Sequence, residues 1–135
     1  MARYLLDSNA FIWAKSSPQT LRQEARQIIQ DPENTLFVSV AGLWELADKA
    51  SKGKLPQFAA IMNRIPGALE LALQESNFQA MPVELAHIAH AYRLPLHHRD
   101  PFDRLMIAQA LAENMTFISR DGIFHRYSGL KLLTA

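Results

Sequence analysis

Short apolar runs alternate with longer stretches in which apolar residues recur every three or four positions. Arg3 to Leu6 is a run of four that stops at Asp7-Ser8-Asn9, which predicts a buried strand followed by a helix cap. Ala10 to Ala14 opens the first helix, and Ser16-Ser17-Pro18 breaks it. Thr20 through Gln30 places Leu21, Ala25, Ile28 and Ile29 on one helical stripe, and Asp31-Pro32-Glu33-Asn34 reads as a turn. Leu36 to Val40 predicts a second strand, and Ala41 to about Ser51 a helix with Leu43, Trp44, Leu46, Ala47 and Ala50 as its apolar set. Gly53 suits the stop that follows.

Phe58 to Ile65 and Ala68 to Gln74 predict further helical pieces, separated at Pro66-Gly67, and Phe78 to Met81 a short strand. Val83 to Tyr92 predicts a helix with Leu85, Ile88, Ala89 and Tyr92 on its inner face. After the loop 93–100, Pro101 to Glu113 is the clearest helix, with Asp100 at its cap and Pro101 at its first position. Thr116 to Ser119 predicts a strand closed by Arg120-Asp121-Gly122, and Leu130 to Leu133 a final edge strand. Strands alternating with helices predict a single α/β domain over residues 1–135, built on a mostly parallel sheet. In such sheets the reactive crevice lies beyond the carboxyl ends of the strands.

Composition narrows the class. The 135 residues are 49% hydrophobic, enough for a core, and contain no Cys, which removes disulfides, thiolate metal sites and a Cys nucleophile. No apolar run approaches the about 20 residues of a membrane span, and Met-Ala-Arg-Tyr-Leu-Leu-Asp lacks the apolar stretch of a signal peptide. A soluble cytoplasmic protein is the expectation. A net charge of +1 supplies no global field for nucleic acid, so a polyanion needs a local basic patch or metal ions.

The acidic residues carry the chemistry. Asp7 and Asp121 fall just past predicted strands, Asp103 in the first turn of the best helix, and Glu45 early in the helix after the second strand. All four therefore face the carboxyl edge, where clustered carboxylates repel unless a cation neutralises them. An all-oxygen set suits Mg²⁺ or Mn²⁺, and such ions hydrolyse phosphodiesters by activating water and stabilising the leaving oxygen. Taken singly, Asp7 and Asp121 also fit turn or cap roles, Asp103 a capping box with Asp100, and Glu45 a solvated residue.

Other groups are less specific. His87 and His90 have no Cys or HExxH context and read as a surface or half-buried pair. His97, His98, Arg99 and Arg104 form a basic patch that fits phosphate contact and an ordinary solvated loop equally. Lys49, Lys52, Lys54 and Arg120 are as readily helix-end and turn charges as RNA contacts, and Trp13 and Trp44 read as core or interface. An aspartyl-phosphate phosphatase would place a second acid two residues after Asp7, where Asn9 stands.

Four segments together carry a resemblance: Tyr-Leu-Leu-Asp-Ser-Asn-Ala at 4–10, Val-Ser-Val-Ala-Gly-Leu-Trp-Glu-Leu-Ala-Asp-Lys-Ala at 38–50, Leu-Pro-Leu-His-His-Arg-Asp-Pro-Phe-Asp-Arg-Leu-Met-Ile-Ala-Gln-Ala at 94–110, and Phe-Ile-Ser-Arg-Asp at 117–121. In this order they resemble the PIN-domain family, specifically the toxin nucleases of bacterial VapBC-type toxin–antitoxin pairs. The resemblance implies a three-layer α/β/α sandwich and an acidic quartet of Asp7, Glu45, Asp103 and Asp121 holding Mg²⁺ or Mn²⁺. Ser8 or Asn9 and Ser119 match its supporting polar positions, and Asp100 shares a motif with Asp103 and stands open to part of its role. It also implies endonucleolytic cleavage of RNA, a homodimer, and a small antitoxin partner. The alternative is a non-catalytic PIN-like module that binds RNA or protein. Setting the four acids aside leaves nine against 14 Lys and Arg, a balance of +5, so near-neutrality is compatible with an RNA partner handled through metal.

Overall fold

The computed structural model describes residues 2–64 and 66–135. Strands β1 (Arg3–Leu6), β2 (Thr35–Ser39), β3 (Phe78–Met81), β4 (Thr116–Ser119) and β5 (Lys131–Thr134) form one sheet in the order β3-β2-β1-β4-β5. All neighbours pair in parallel. Leu6 stands opposite Val38 on one side and Ile118 on the other, so the carboxyl ends of β1, β2 and β4 are level. The chain runs outward from β1 to both edges, which makes the end of β1 the switch point where such sheets open a crevice.

The alternation of side chains sorts the core into two halves. Leu6, Leu36, Val38 and Ile118 face α1 (Ser8–Ser16), α2 (Gln23–Gln30), α3 (Val40–Ser51), α4 (Pro56–Met62) and α5 (Ala68–Glu75). Leu5, Phe37 and Phe117 face α6 (Leu85–Arg93) and α7 (Pro101–Ala112). The result is a three-layer α/β/α sandwich. Phe117 is fully buried and meets Phe124 edge-on with ring centroids 5.1 Å apart. Truncating such a ring costs about 3–5 kcal/mol through lost transfer energy and the cavity left behind.

Departures from the sequence reading are local and have physical causes. Val40 belongs to α3 and not to β2, because the Ser39 hydroxyl accepts the Ala41 N–H and starts the helix there. The helix expected from Thr20 starts at Gln23, after a 3-10 turn at Pro18–Thr20. The helix expected over Phe58 to Ile65 ends at Met62, and Ile65 itself lies outside the described residues. The expected inner face of α6 is reversed. Leu85, Ile88 and Tyr92 are 84%, 53% and 87% exposed, while His87 is buried. The His87 Nδ1 accepts the Glu84 N–H at 3.0 Å and so satisfies the start of its helix. Trp44 is likewise exposed and is not part of the core.

Candidate active site

Each of the four acids belongs to a different connection at the carboxyl edge of the sheet, and local structure explains each placement. Asp7 ends β1 and caps α1, its Oδ1 accepting the Ala10 N–H at 2.8 Å. Its Oδ2 accepts the Ser119 hydroxyl at 2.6 Å across the β1–β4 pairing. Glu45 lies on the second turn of α3, is 9% exposed, and is reached by the Ser8 hydroxyl at 3.0 Å. The two helices approach closely because Gly42 lacks a side chain. A Cβ there would lie 3.1 Å from Ser8 Oγ and 3.2 Å from Met106 Sδ. Asp103 occupies the first turn of α7, and Asp121 caps a 3-10 turn at Gly122–Arg126 by accepting the Ile123 N–H.

The four carboxylates line one cleft of about 180 Å³, with Ser8, Asn9, Asp100, Lys49, Trp13 and Arg120 also on its walls. Ser119 stands beneath it, buried, donating to Asp7 and accepting the Asp121 N–H at 3.2 Å. Asp100 is occupied as the cap of α7, its Oδ1 accepting the Phe102 and Asp103 N–H groups.

The electrostatics follow from the crowding. Burial raises the Asp7 carboxyl above its ordinary range against the pull of its Ser119 and Ala10 donors, and Asp121 and Glu45 add to the rise. Asp103 is pushed up to about 7, first by burial and then by Asp100, Glu45, Asp7 and Asp121. Lys49 approaches Glu45 at 3.6 Å. The Arg120 guanidinium stacks on Trp13, 4.3 Å from the ring centroid, and its Nε donates to the Ala135 carbonyl. Among the described residues no three His, Asp or Glu side chains converge closely enough to hold an ion as they stand. The chemistry of the donor set nevertheless fits a hard divalent cation: carboxylate oxygens from four elements share one small cleft, and their crowding raises the proton affinity of Asp7 and Asp103.

Three sequence readings change here. Asp103 does not close a capping box, because the Asp100 N–H is taken by His98 Nδ1 at 3.1 Å. Arg104 is not part of an open basic patch: its guanidinium donates to the Ala91 and Leu94 carbonyls at the end of α6. His98 is the residue whose place the sequence did not reveal. Its Nε2 lies 3.1 Å from Asp103 Oδ2 and 3.5 Å from Asp121 Oδ2. A histidine two positions before a helix cap was the signal available, but its second partner is 23 residues further along the chain.

Residues 4–130 match the PIN domain, and the chain belongs to the PIN-domain family. No curated protein sequence matches it significantly. Similar solved structures include VapBC2 from Rickettsia felis bound to a promoter DNA fragment, with 21% identity, 98% of both chains covered and a TM-score of 0.72. DNA-bound VapBC from Salmonella typhimurium matches at 14% identity and a TM-score of 0.69, over 99% of this chain and 98% of the other. VapBC-5 from Mycobacterium tuberculosis, of the VapBC family of toxin–antitoxin systems, matches at 18% identity and a TM-score of 0.61, with the same coverage. At these identities the likeness is one of fold.

Proposed function

We propose that the chain is a metal-dependent endoribonuclease, the toxin of a VapBC-type toxin–antitoxin pair, acting in the cytoplasm. The observation that carries this reading is that Asp7, Glu45, Asp103 and Asp121, from four separate connections, line one cleft at the switch point of the sheet. Asp7, Asp103 and Asp121 would hold the Mg²⁺ or Mn²⁺, with Glu45 completing the set. Bound there, such an ion would supply Lewis-acid chemistry for phosphodiester hydrolysis.

The chain's own groups do the rest. Glu45, its Oε1 held by Ser8, orients the attacking water and takes its proton at Oε2. Ser119 keeps the Asp7 carboxylate turned toward the cleft. Lys49 and Arg120 on the walls draw the RNA backbone in.

Two apolar surfaces support the partners. The groove of Val40, Leu43, Trp44, Ala47, Leu69 and Leu73 has α3 as one wall, and α3 also carries Glu45. A small antitoxin seated there would pack on the same helix that carries Glu45. The exposed Leu85, Ile88 and Tyr92 face of α6 suits a second copy in a homodimer.

Induction of the chain in a bacterium tests the reading. Wild type is expected to arrest growth and fragment cellular RNA, and Asp7→Asn to do neither. Equal arrest and fragmentation by the variant contradicts it.

A further inference from the structure

The His98 imidazole is fixed on three sides. Its ring stacks on Phe124, with centroids 5.5 Å apart and planes 19° from parallel. Phe124 is buried and braced edge-on by Phe117, so the stack rests on the core. The Asp100 N–H donates to Nδ1, so that nitrogen carries its lone pair and the ring proton sits on Nε2. Nε2 in turn faces Asp103 Oδ2 and Asp121 Oδ2.

These two acids come from elements that share no backbone pairing, α7 and the turn after β4. Asp121 is half exposed, and among the described residues its carboxylate otherwise accepts only the Ile123 N–H. That cap holds its Oδ1, so Oδ2 is the oxygen left to face His98. The described residues lining the cleft include Asp103, Asp121 and Phe124 but not His98.

We infer that His98 is a positioning residue of the acidic site, its Nε2 edge set 3.1 Å from Asp103 and 3.5 Å from Asp121 so that their remaining oxygens present a convergent pair to a divalent cation. This rests on the proposed function. Hydrogen bonds made to metal-binding carboxylates from outside the site fix their orientation, and their loss typically costs about 10–100-fold in metal affinity. The backbone anchor at Nδ1 and the Phe124 stack give the ring the rigidity that such a role requires. His98 needs no contact with RNA to act in this way.

The test is Mn²⁺ binding, read from the paramagnetic resonance signal of free Mn²⁺, for the purified wild type, His98→Phe and His98→Gln. Phe keeps the stack on Phe124 and has no N–H, whereas Gln restores an N–H donor of similar reach. Melting temperatures in chelator establish that each variant is folded. Wild type is expected to bind Mn²⁺, His98→Phe to bind about 10–100-fold more weakly, and His98→Gln to recover most of that loss. Binding by His98→Phe within twofold of wild type overturns the inference. So does an equal loss in both variants, which would show that the N–H is not what matters. Absence of Mn²⁺ binding by the wild type itself overturns this inference together with the proposed function, and the wild-type titration alone distinguishes that case.

Discussion

Ser119 donates its hydroxyl to Asp7 at 2.6 Å and accepts the Asp121 N–H at 3.2 Å, so a single buried side chain at the end of β4 ties two of the four acids together. Ser119→Ala removes both contacts and leaves the Asp7 Oδ2 without a donor in a buried setting. The expected outcome is a loss of about 1–3 kcal/mol in stability and about 10–100-fold in Mn²⁺ affinity. Denaturant unfolding and a metal titration check the two parts separately. A stable variant with unchanged affinity would show that Asp7 needs no such support.

Crowded carboxylates oppose folding when no cation is present. Asp103 holds its proton up to about pH 7 in the folded chain, against an ordinary value of 3.8. Between about pH 4 and 7 the folded state therefore binds more protons than the unfolded one, and stability falls as pH rises through that window. Asp7 shifts in the same direction. In chelator at pH 8, Asp103→Asn is expected to melt about 4 °C above wild type, an effect near 1 kcal/mol once solvent screening is allowed for. At pH 5 the gap should close. Calorimetric melting of both proteins at the two pH values measures it.

The same balance predicts how a cation acts. Mg²⁺ or Mn²⁺ at 100 times its dissociation constant should stabilise the wild type by about 2.7 kcal/mol through preferential binding to the folded state. Asp103→Asn, with a ligand removed, should gain much less. The order of melting temperatures seen in chelator at pH 8 should then reverse, and thermal scans across a metal series detect the crossing.

The exposed face of α6 predicts a change in assembly. Ile88→Asp together with Tyr92→Asp should convert a homodimer to monomers without lowering the melting temperature of the isolated fold by more than about 1 kcal/mol equivalent, since both side chains are already exposed. Sedimentation velocity reads the outcome. A dimer that survives both charges must use another surface.

The strands and two of the acids, Asp7 and Asp121, were legible in the sequence for one reason: short apolar runs end at residues that cap the next helix or turn. Asp7, Ser39, Asp100 and Asp121 all accept backbone N–H groups where their strand or loop gives way to a helix or turn. That local chemistry places them at the carboxyl edge before any tertiary contact is considered. The inward side of α6 was not legible, because a helical apolar stripe looks the same whether it meets the core or a partner. Leu85, Ile88 and Tyr92 form such a stripe, yet His87 is the residue that turns inward. His98 escaped for another reason. Its role depends on Asp121 and Phe124, which only the fold brings beside it.

The most direct test of the central claim is cleavage of a labelled RNA pool by the purified chain, with and without Mn²⁺, beside an Asp7→Asn variant of matching melting temperature. The account predicts internal cleavage by the wild type in Mn²⁺, none in chelator, and none by Asp7→Asn in either. Cleavage that persists in chelator, or that Asp7→Asn retains, would contradict it.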